Sequence, residues 1–268
     1  MPELPEVDWC GRSLARWSAG RRVVAVEVLD PRSIRAHRTA RPTDGHPNGR
    51  AAVEAVVLGR PPGPMERHGK RLLWTFGARA LLLHLGMTGR WTRAATSFPK
   101  VRLHLDDGPP LTFGDPRLLG GVVPLELADG RAALRDELGP DALTDPLPPF
   151  RGRRPIKVVL MDQAVVAGLG NLHAAEALWR AGIAPTAPAE SIVGARHTAL
   201  AAGVHAQLEF ARRLLDADEE VAYVEDAGAA NPFPLYRRGG EPCPRCAGPI
   251  VRDVHAGRST WWCPGCQT

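Results

Sequence analysis

The chain has 268 residues, 44% of them hydrophobic, enough for a well-buried core and room for two domains. No apolar run approaches the ~18 residues of a membrane span and no signal-peptide pattern is present, which argues against a membrane protein and for a soluble, cytoplasmic one. Lys and Arg number 34 against 29 Asp and Glu, a net charge of +5; the excess suits an anionic partner, and it equally fits a compositional bias toward Ala, Gly, Pro and Arg.

The chain opens Met1-Pro2-Glu3-Leu4-Pro5-Glu6. A small residue at position two favours removal of the initiator Met, leaving Pro2 as a secondary amine. An α-amino group titrates near ~8, so part of it is neutral and nucleophilic at pH 7. Such an amine forms an iminium with a sugar aldehyde carbon. Glu3 stands beside it as a proton donor and acceptor, and Glu6 falls where a helix begins. Pro5 suits the first turn of that helix. A frayed, solvated chain end reads the same way.

Val7, Cys10, Leu14 and Trp17 recur at helical spacing, with Cys10 a small buried apolar residue, and Gly20 ends the helix. Short β-type runs follow at Arg22–Leu29, Ala51–Leu58, Arg71–Phe76, Ala80–Leu85, Val101–Leu105, Leu111–Phe113 and Val122–Leu127, with an exposed loop expected over Arg38–Arg50. Many short strands separated by turns predict a sandwich or barrel. Three loops carry candidate residues. Lys70, in Arg67-His68-Gly69-Lys70, stands at a strand entrance. Met87, in His84-Leu85-Gly86-Met87-Thr88-Gly89, is either a core filler or an exposed apolar tip. Gly114-Asp115-Pro116-Arg117-Leu118-Leu119-Gly120 carries an Arg and two leucines. Exposed Met and Leu on loops can wedge between base pairs.

The second half reads as helical. A short helix is expected over Arg131–Leu138, then an apolar turn Ile156–Met161 whose one charge is Lys157. Gly168-Leu169-Gly170-Asn171 follows, with two glycines able to take positive φ and Asn171 as N-cap of a helix Leu172–Ala181 closed by Gly182. A helix N-terminus suits a phosphate. Val193–Asp216 is a further long helix, and Asp218–Pro234 an acidic loop of uncertain order.

Cys243-Pro244-Arg245-Cys246 and Cys263-Pro264-Gly265-Cys266 are separated by 16 residues. This is the spacing of a four-thiolate structural zinc; two redox pairs would need a βαβ context that the tail lacks. Pro249–Val254 and Ser259–Trp262 read as strands around a tip that carries Arg258. From Tyr236 to Thr268 five Arg face two acids, a local net of +3.

Taken in order, these motifs resemble the formamidopyrimidine-DNA glycosylase / endonuclease VIII family of bifunctional base-excision enzymes, over essentially the whole chain. The resemblance implies an α+β multidomain fold. A catalytic β-sandwich with flanking helices spans 1–129, a helical domain with a helix–two-turn–helix spans 130–235, and a zinc-finger β-hairpin spans 236–268. It implies damaged double-stranded DNA in a cleft between two lobes, one structural zinc ion, no small-molecule cofactor, a monomer, and work at the nucleoid. Pro2 resembles the nucleophile at C1′, Glu3 the acid/base and Glu6 the supporting carboxylate. Lys70, counted with the catalytic set as well, resembles with Asn171 and Arg258 the clamp on phosphates flanking the lesion. Met87 and Arg117 resemble residues that fill the gap left by an everted base. Leu119 and Lys157 complete the expected DNA-binding set.

Leu119 falls where the glycosylases usually carry Phe, His173 where Tyr is common, and the Asp218–Pro234 loop is shorter than the one that often covers 8-oxoguanine. These departures predict weak activity on 8-oxoguanine relative to abasic sites, formamidopyrimidines or oxidised pyrimidines. A non-catalytic zinc-containing DNA-binding protein on the same scaffold is the alternative; it has no use for Pro2 and Glu3.

Overall fold

The computed structural model describes residues 2–37, 45–216 and 219–268. Met1, residues 38–44 of the expected Arg38–Arg50 loop, and Asp218 at the start of the acidic loop lie outside the described residues. The chain forms two compact units, Met1–Asp136 with Leu215–Ala229, and Glu137–Leu214 with Ala230–Thr268.

In the first unit, helix α1 (Leu4–Ser18) buries Val7, Cys10, Leu14 and Trp17, as their spacing demands. Burial pushes the Cys10 thiol up to about 12, so it behaves as an apolar filler. Strands β1 (Val23–Val28), β2 (Met65–His68), β3 (Arg71–Phe76), β4 (Arg79–His84), β5 (Arg90–Thr92), β6 (Pro99–Leu105), β7 (Leu111–Gly114) and β8 (Gly121–Glu126) make two antiparallel sheets, in the orders β1-β6-β7-β5 and β2-β3-β4-β8. Period-two alternation builds the sandwich. Leu72, Trp74 and Phe76 of β3 share one core with Val101, Leu103 and Leu105 of β6 and with Phe113 of β7. The other face of β3 turns Leu73 toward Leu134 of helix α3 (Leu127–Arg135). Trp74 is fully buried edge-on to Trp91, and its truncation to Ala costs ~3–5 kcal/mol.

Ala51–Leu58, expected as a strand, lies in helix α2 (Gly49–Val57). Its buried residues Val53, Val56 and Val57 stand at i, i+3 and i+4, a helix face that three β-branched side chains disguise. Gly49 lets that helix settle on Ile34, whose Cβ lies 2.9 Å from where a Cβ on Gly49 would be. Strands β2 and β5 were not expected, and α3 begins four residues before the expected Arg131.

The second unit carries α4 (Ile156–Met161), α5 (Asn171–Ala181), most of α6 (Ala195–Asp216), and the hairpin β9 (Val251–His255) and β10 (Arg258–Trp262). Gly182, at φ +70, closes α5 as expected. Of the two glycines before α5, Gly168 takes positive φ (+111), whereas Gly170 is extended and is the N-cap residue. Asn171 is therefore the first helical residue rather than the cap, and its side chain is used elsewhere. Among the described residues no helix is long and apolar enough to cross a membrane.

Candidate active site and nucleic-acid-binding residues

Pro2 and Glu3 lead into α1 and are both buried. Glu6 Oε2 accepts the Glu3 N–H at 2.9 Å, and with the Glu3 side chain facing the Glu6 N–H the two residues form a capping box. The box fixes the backbone that carries Pro2. Gly11 lets α1 approach the β2–β3 hairpin closely: a Cβ there would meet Leu72 Cδ2 at 2.7 Å and Met65 Cγ at 3.2 Å.

Lys70 occupies the second position of the two-residue turn between β2 and β3, after Gly69 at φ +54. Arg67 Nη1 donates to the Gly69 carbonyl at 3.2 Å and holds the turn. His84, at the end of β4, pairs with Arg71 and Gly121 across the sheet. Its imidazole keeps a solvent-accessible edge yet sits among many protein atoms. Desolvation, then the charges of Arg71, Lys70 and Arg35, hold its pKa below the usual histidine value. Three cations around one imidazole make this corner attractive to an anion, a grouping that the sequence reading missed.

Two loops bear the expected gap-filling residues. Asp115, fully buried, accepts Thr88 Oγ1 at 2.6 Å, the Arg117 N–H at 3.1 Å and the Gly120 N–H at 2.8 Å. It staples the Met87 loop to the Arg117 loop. Gly86, at φ +65, makes the close approach possible, since a Cβ there would lie 2.5 Å from Gly120 N. Arg35 is 6% exposed and donates to the carbonyls of Leu118 (3.0 Å) and Gly120 (2.7 Å). Leu118 takes φ +53, a left-handed conformation uncommon for a non-glycine residue, which these bonds maintain. On this frame Arg117 and Leu119 are exposed and Met87 is half-buried.

Much of the acidic loop, whose order the sequence leaves open, is built into the first unit. Residues 219–229 belong to the first unit, and Val221 and Tyr223 join its core. Glu220 and Asp226 accept hydrogen bonds from that unit, Asp226 pairing with Arg90 at 2.9 Å.

In the second unit, Lys157 corrects the expectation of a direct DNA contact. It is 1% exposed, and its ammonium donates to Asn171 Oδ1 (2.6 Å), Thr260 Oγ1 (2.7 Å) and the Ser259 carbonyl (3.3 Å). Asn171 Nδ2 donates to the same carbonyl at 2.9 Å. The buried lysine thus ties the start of α5 to β10, next to Arg258, which is exposed at the hairpin turn. His173 is also buried, bonded through Nδ1 to Gln207 at 3.1 Å. Glu176, whose pKa burial raises, accepts the Leu235 and Tyr236 N–H groups through Oε1 at 2.8 Å each.

The Sγ atoms of Cys243, Cys246, Cys263 and Cys266 all lie within 4.8 Å of one another, with Cys246–Cys263 at 3.4 Å and Cys243–Cys266 at 3.8 Å. Zn–S bonds of ~2.3 Å in a tetrahedron put sulfurs ~3.8 Å apart, so the four thiols fit one zinc and fill its coordination shell. Arg245 stacks over Trp179 of α5 at 4.4 Å and donates to its carbonyl at 2.9 Å, seating the first knuckle.

Family models match three consecutive stretches: the formamidopyrimidine-DNA glycosylase N-terminal domain over residues 1–122, the H2TH domain of the same enzymes over 130–216, and a zinc finger found in FPG and IleRS over 240–268. The formamidopyrimidine-DNA glycosylase of Nocardia farcinica is 36% identical, covering 100% of this chain and 98% of its own; that of Roseiflexus is 38% identical, covering 100% of both. The crystal structure of MutM (Fpg) from Thermus thermophilus superposes with a TM-score of 0.79 at 32% identity, covering 99% of this chain and 98% of the other. The chain belongs to the formamidopyrimidine-DNA glycosylase family.

Proposed function

We propose that Pro2 is the nucleophile and Glu3 the acid/base of this chain's reaction. The protein is a base-excision DNA glycosylase with AP lyase activity, and its partner is damaged double-stranded DNA. With Met1 removed, the Pro2 nitrogen attacks C1′ of the damaged nucleotide. The N-glycosidic bond breaks, its electron pair leaves with the protonated base, and the sugar ring opens as Glu3 protonates its oxygen, leaving an iminium on Pro2. Loss of a C2′ proton expels the 3′ phosphate, and a second elimination expels the 5′ phosphate; water then frees the amine. The observation that carries this reading is the buried Pro2-Glu3 pair held by Glu6 at the start of α1.

Lys70, with Arg71 and His84 beside it, and Asn171 and Arg258 in the other unit are assigned to flanking phosphates. Met87, Arg117 and Leu119 are assigned to the gap that an everted base leaves. The three parts 1–129, 130–235 and 236–268 divide these tasks as chemistry, helical support and zinc-ordered hairpin, except that residues 215–229 group with the first part. The zinc is structural, and the work is placed in the cytoplasm at the nucleoid. Borohydride added to the enzyme on an abasic-site duplex should trap a covalent adduct at Pro2. A protein whose mature N-terminus is Pro2, and which binds the duplex without giving an adduct, would sink the assignment.

A further inference from the structure

Strand β5 (Arg90–Thr92) is an edge strand, paired only with β7 in its sheet. Edge strands need cover, and here residues 220–226 supply it from a distant part of the chain. Glu220 Oε1 accepts the N–H groups of Arg93 (3.0 Å) and Ala94 (3.2 Å), just beyond one end of β5. At the other end Arg90 donates to the Val221 carbonyl (3.2 Å) and to Asp226 Oδ1 (2.9 Å), and its guanidinium lies 4.4 Å from the centre of the Tyr223 ring. Asp226 Oδ2 in turn accepts the Tyr223 N–H at 2.9 Å. Between these anchors the Tyr223 hydroxyl, fully inside the protein, donates to the Gly89 carbonyl at 2.6 Å.

Gly89 is the last residue of the Met87 loop. Its N–H donates to Leu85 O at 2.9 Å, and a Cβ on it would lie 2.4 Å from that oxygen and 3.0 Å from the Phe113 ring. The loop is therefore fastened at the two consecutive residues that follow Met87: by Thr88 to Asp115 and by Gly89 to Tyr223. Desolvation raises the Tyr223 pKa well above its ordinary value, so the hydroxyl keeps its proton throughout the working range.

We propose that residues 220–226 are a strap on the β-sandwich and that Tyr223 is a positioning residue for base eversion, setting the Met87 loop through the Gly89 carbonyl. The inference rests on the assignment of Met87 to the vacated space. It also gives this acidic segment a task on the protein side of the loop instead of over the lesion: Asp226 is bound to Arg90 of β5, Glu220 to the backbone just beyond that strand, and Val221 and Tyr223 are in the core.

The test uses the full-length zinc-loaded enzyme, single-turnover rates on a formamidopyrimidine duplex and on a preformed abasic-site duplex, and the variants Y223F, M87A and Y223F/M87A. Y223F keeps the ring and removes one buried hydrogen bond, so excision of the base should slow about fivefold. Cleavage of the abasic site, which has no stacked base to extract, should be unchanged. In the M87A background Y223F should cost nothing further, because the residue through which it acts is gone. Equal slowing of both reactions, additive losses in the double variant, or wild-type excision by Y223F would each overturn the proposal. If M87A slows excision and Y223F does not, only the strap inference fails. If M87A leaves excision intact, the Met87 assignment fails and takes the inference with it. D226N, which loosens Arg90 and the Tyr223 N–H without touching the ring, should reproduce the selective loss in weaker form; a D226N effect shared by both substrates counts against the strap.

Discussion

Lys70 stands half-buried in the two-residue turn of the β2–β3 hairpin, among Arg71, Arg35 and His84, whereas Lys157 lies on α4 with 1% of its surface exposed and its ammonium bonded to Asn171, Thr260 and Ser259. The first corner gathers three positive charges around His84, an arrangement that suits a phosphate. The second spends its one charge inside the protein, at acceptors only a cation with three donors could satisfy together. Under the proposed assignment the two lysines act by different routes. Lys70 is the one assigned to the ligand, and Lys157 holds in place Asn171 and the β10 strand next to Arg258. Substitutions can tell the routes apart, because a direct contact changes salt dependence and a buried support changes stability.

The strongest expected effect belongs to the most direct residue of all. Glu3→Gln keeps the size and the backbone of the helix start but removes the proton donor and acceptor. Base excision should fall on the order of 1,000-fold, within the range ascribed to general acid–base catalysis, while duplex affinity stays close to that of the wild type. A parallel loss of affinity would move Glu3 from the direct class to the supporting one. Next in size is the zinc site. Cys263→Ser breaks the four-thiolate set, and Arg258, Ser259 and Thr260 lose their places together, so affinity should drop roughly tenfold or more with the zinc content. Normal binding by a zinc-free protein would show that the hairpin orders itself without metal.

The two lysines give the sharpest contrast. Lys157→Met fills the same space but strands Asn171 Oδ1 and Thr260 Oγ1, at a cost of ~1–3 kcal/mol for each acceptor left unpaired. Thermal stability should fall, affinity should weaken for every duplex alike, and the slope of log K against log salt should stay unchanged. Lys70→Ala should weaken affinity only several-fold, flatten that slope by about one phosphate contact, and leave the melting temperature alone. Swapped signatures would reverse the assignment of the two residues.

How much of this was legible in the sequence depends on how far apart the partners are. Cys243, Cys246, Cys263 and Cys266 announce their site through spacing, and α1 announces itself through Val7, Cys10, Leu14 and Trp17. Helix α2 is readable at Val53, Val56 and Val57, but three β-branched residues in one run also fit a strand, and that hides the helical period. Lys157 could not be placed, because its partner Thr260 lies 103 residues further along the chain. A lysine flanked by apolar residues near a Gly-Asn turn looks the same whether it is buried or exposed. The order of the acidic loop was hidden for a similar reason. The partners of Glu220 and Asp226, the Arg93 and Ala94 N–H groups and Arg90, lie more than a hundred residues earlier. His84 carries a local signal of its own: an imidazole directly facing Arg71 across a strand pair, with Lys70 next to it.

The smallest expected effect concerns Leu119, an exposed side chain assigned to the gap left by an everted base, on a loop whose backbone the sandwich controls tightly. Arg35 and Asp115 hold the Leu118 and Gly120 backbone on either side of it, so residue 119 can change without the loop collapsing. Leu119 is 39% exposed, leaving room for a larger side chain. An aromatic ring stacks on a base where leucine only touches it, and base–aromatic stacking is worth ~1–3 kcal/mol. Part of that gain is offset by ordering a longer side chain, so Leu119→Phe should speed excision of 8-oxoguanine about fivefold, with cleavage of a preformed abasic site little changed. The comparison needs duplexes that differ only in the lesion, under single turnover. If both substrates speed up equally, the wedge acts on DNA bending and not on base extraction. If neither changes, the wedge does not set the rate on 8-oxoguanine, and the pocket that receives the base does. Fastest wild-type excision of 8-oxoguanine opposite cytosine would remove the premise altogether, and Leu119 would then be a sufficient wedge on a loop that Arg35 and Asp115 have already stiffened.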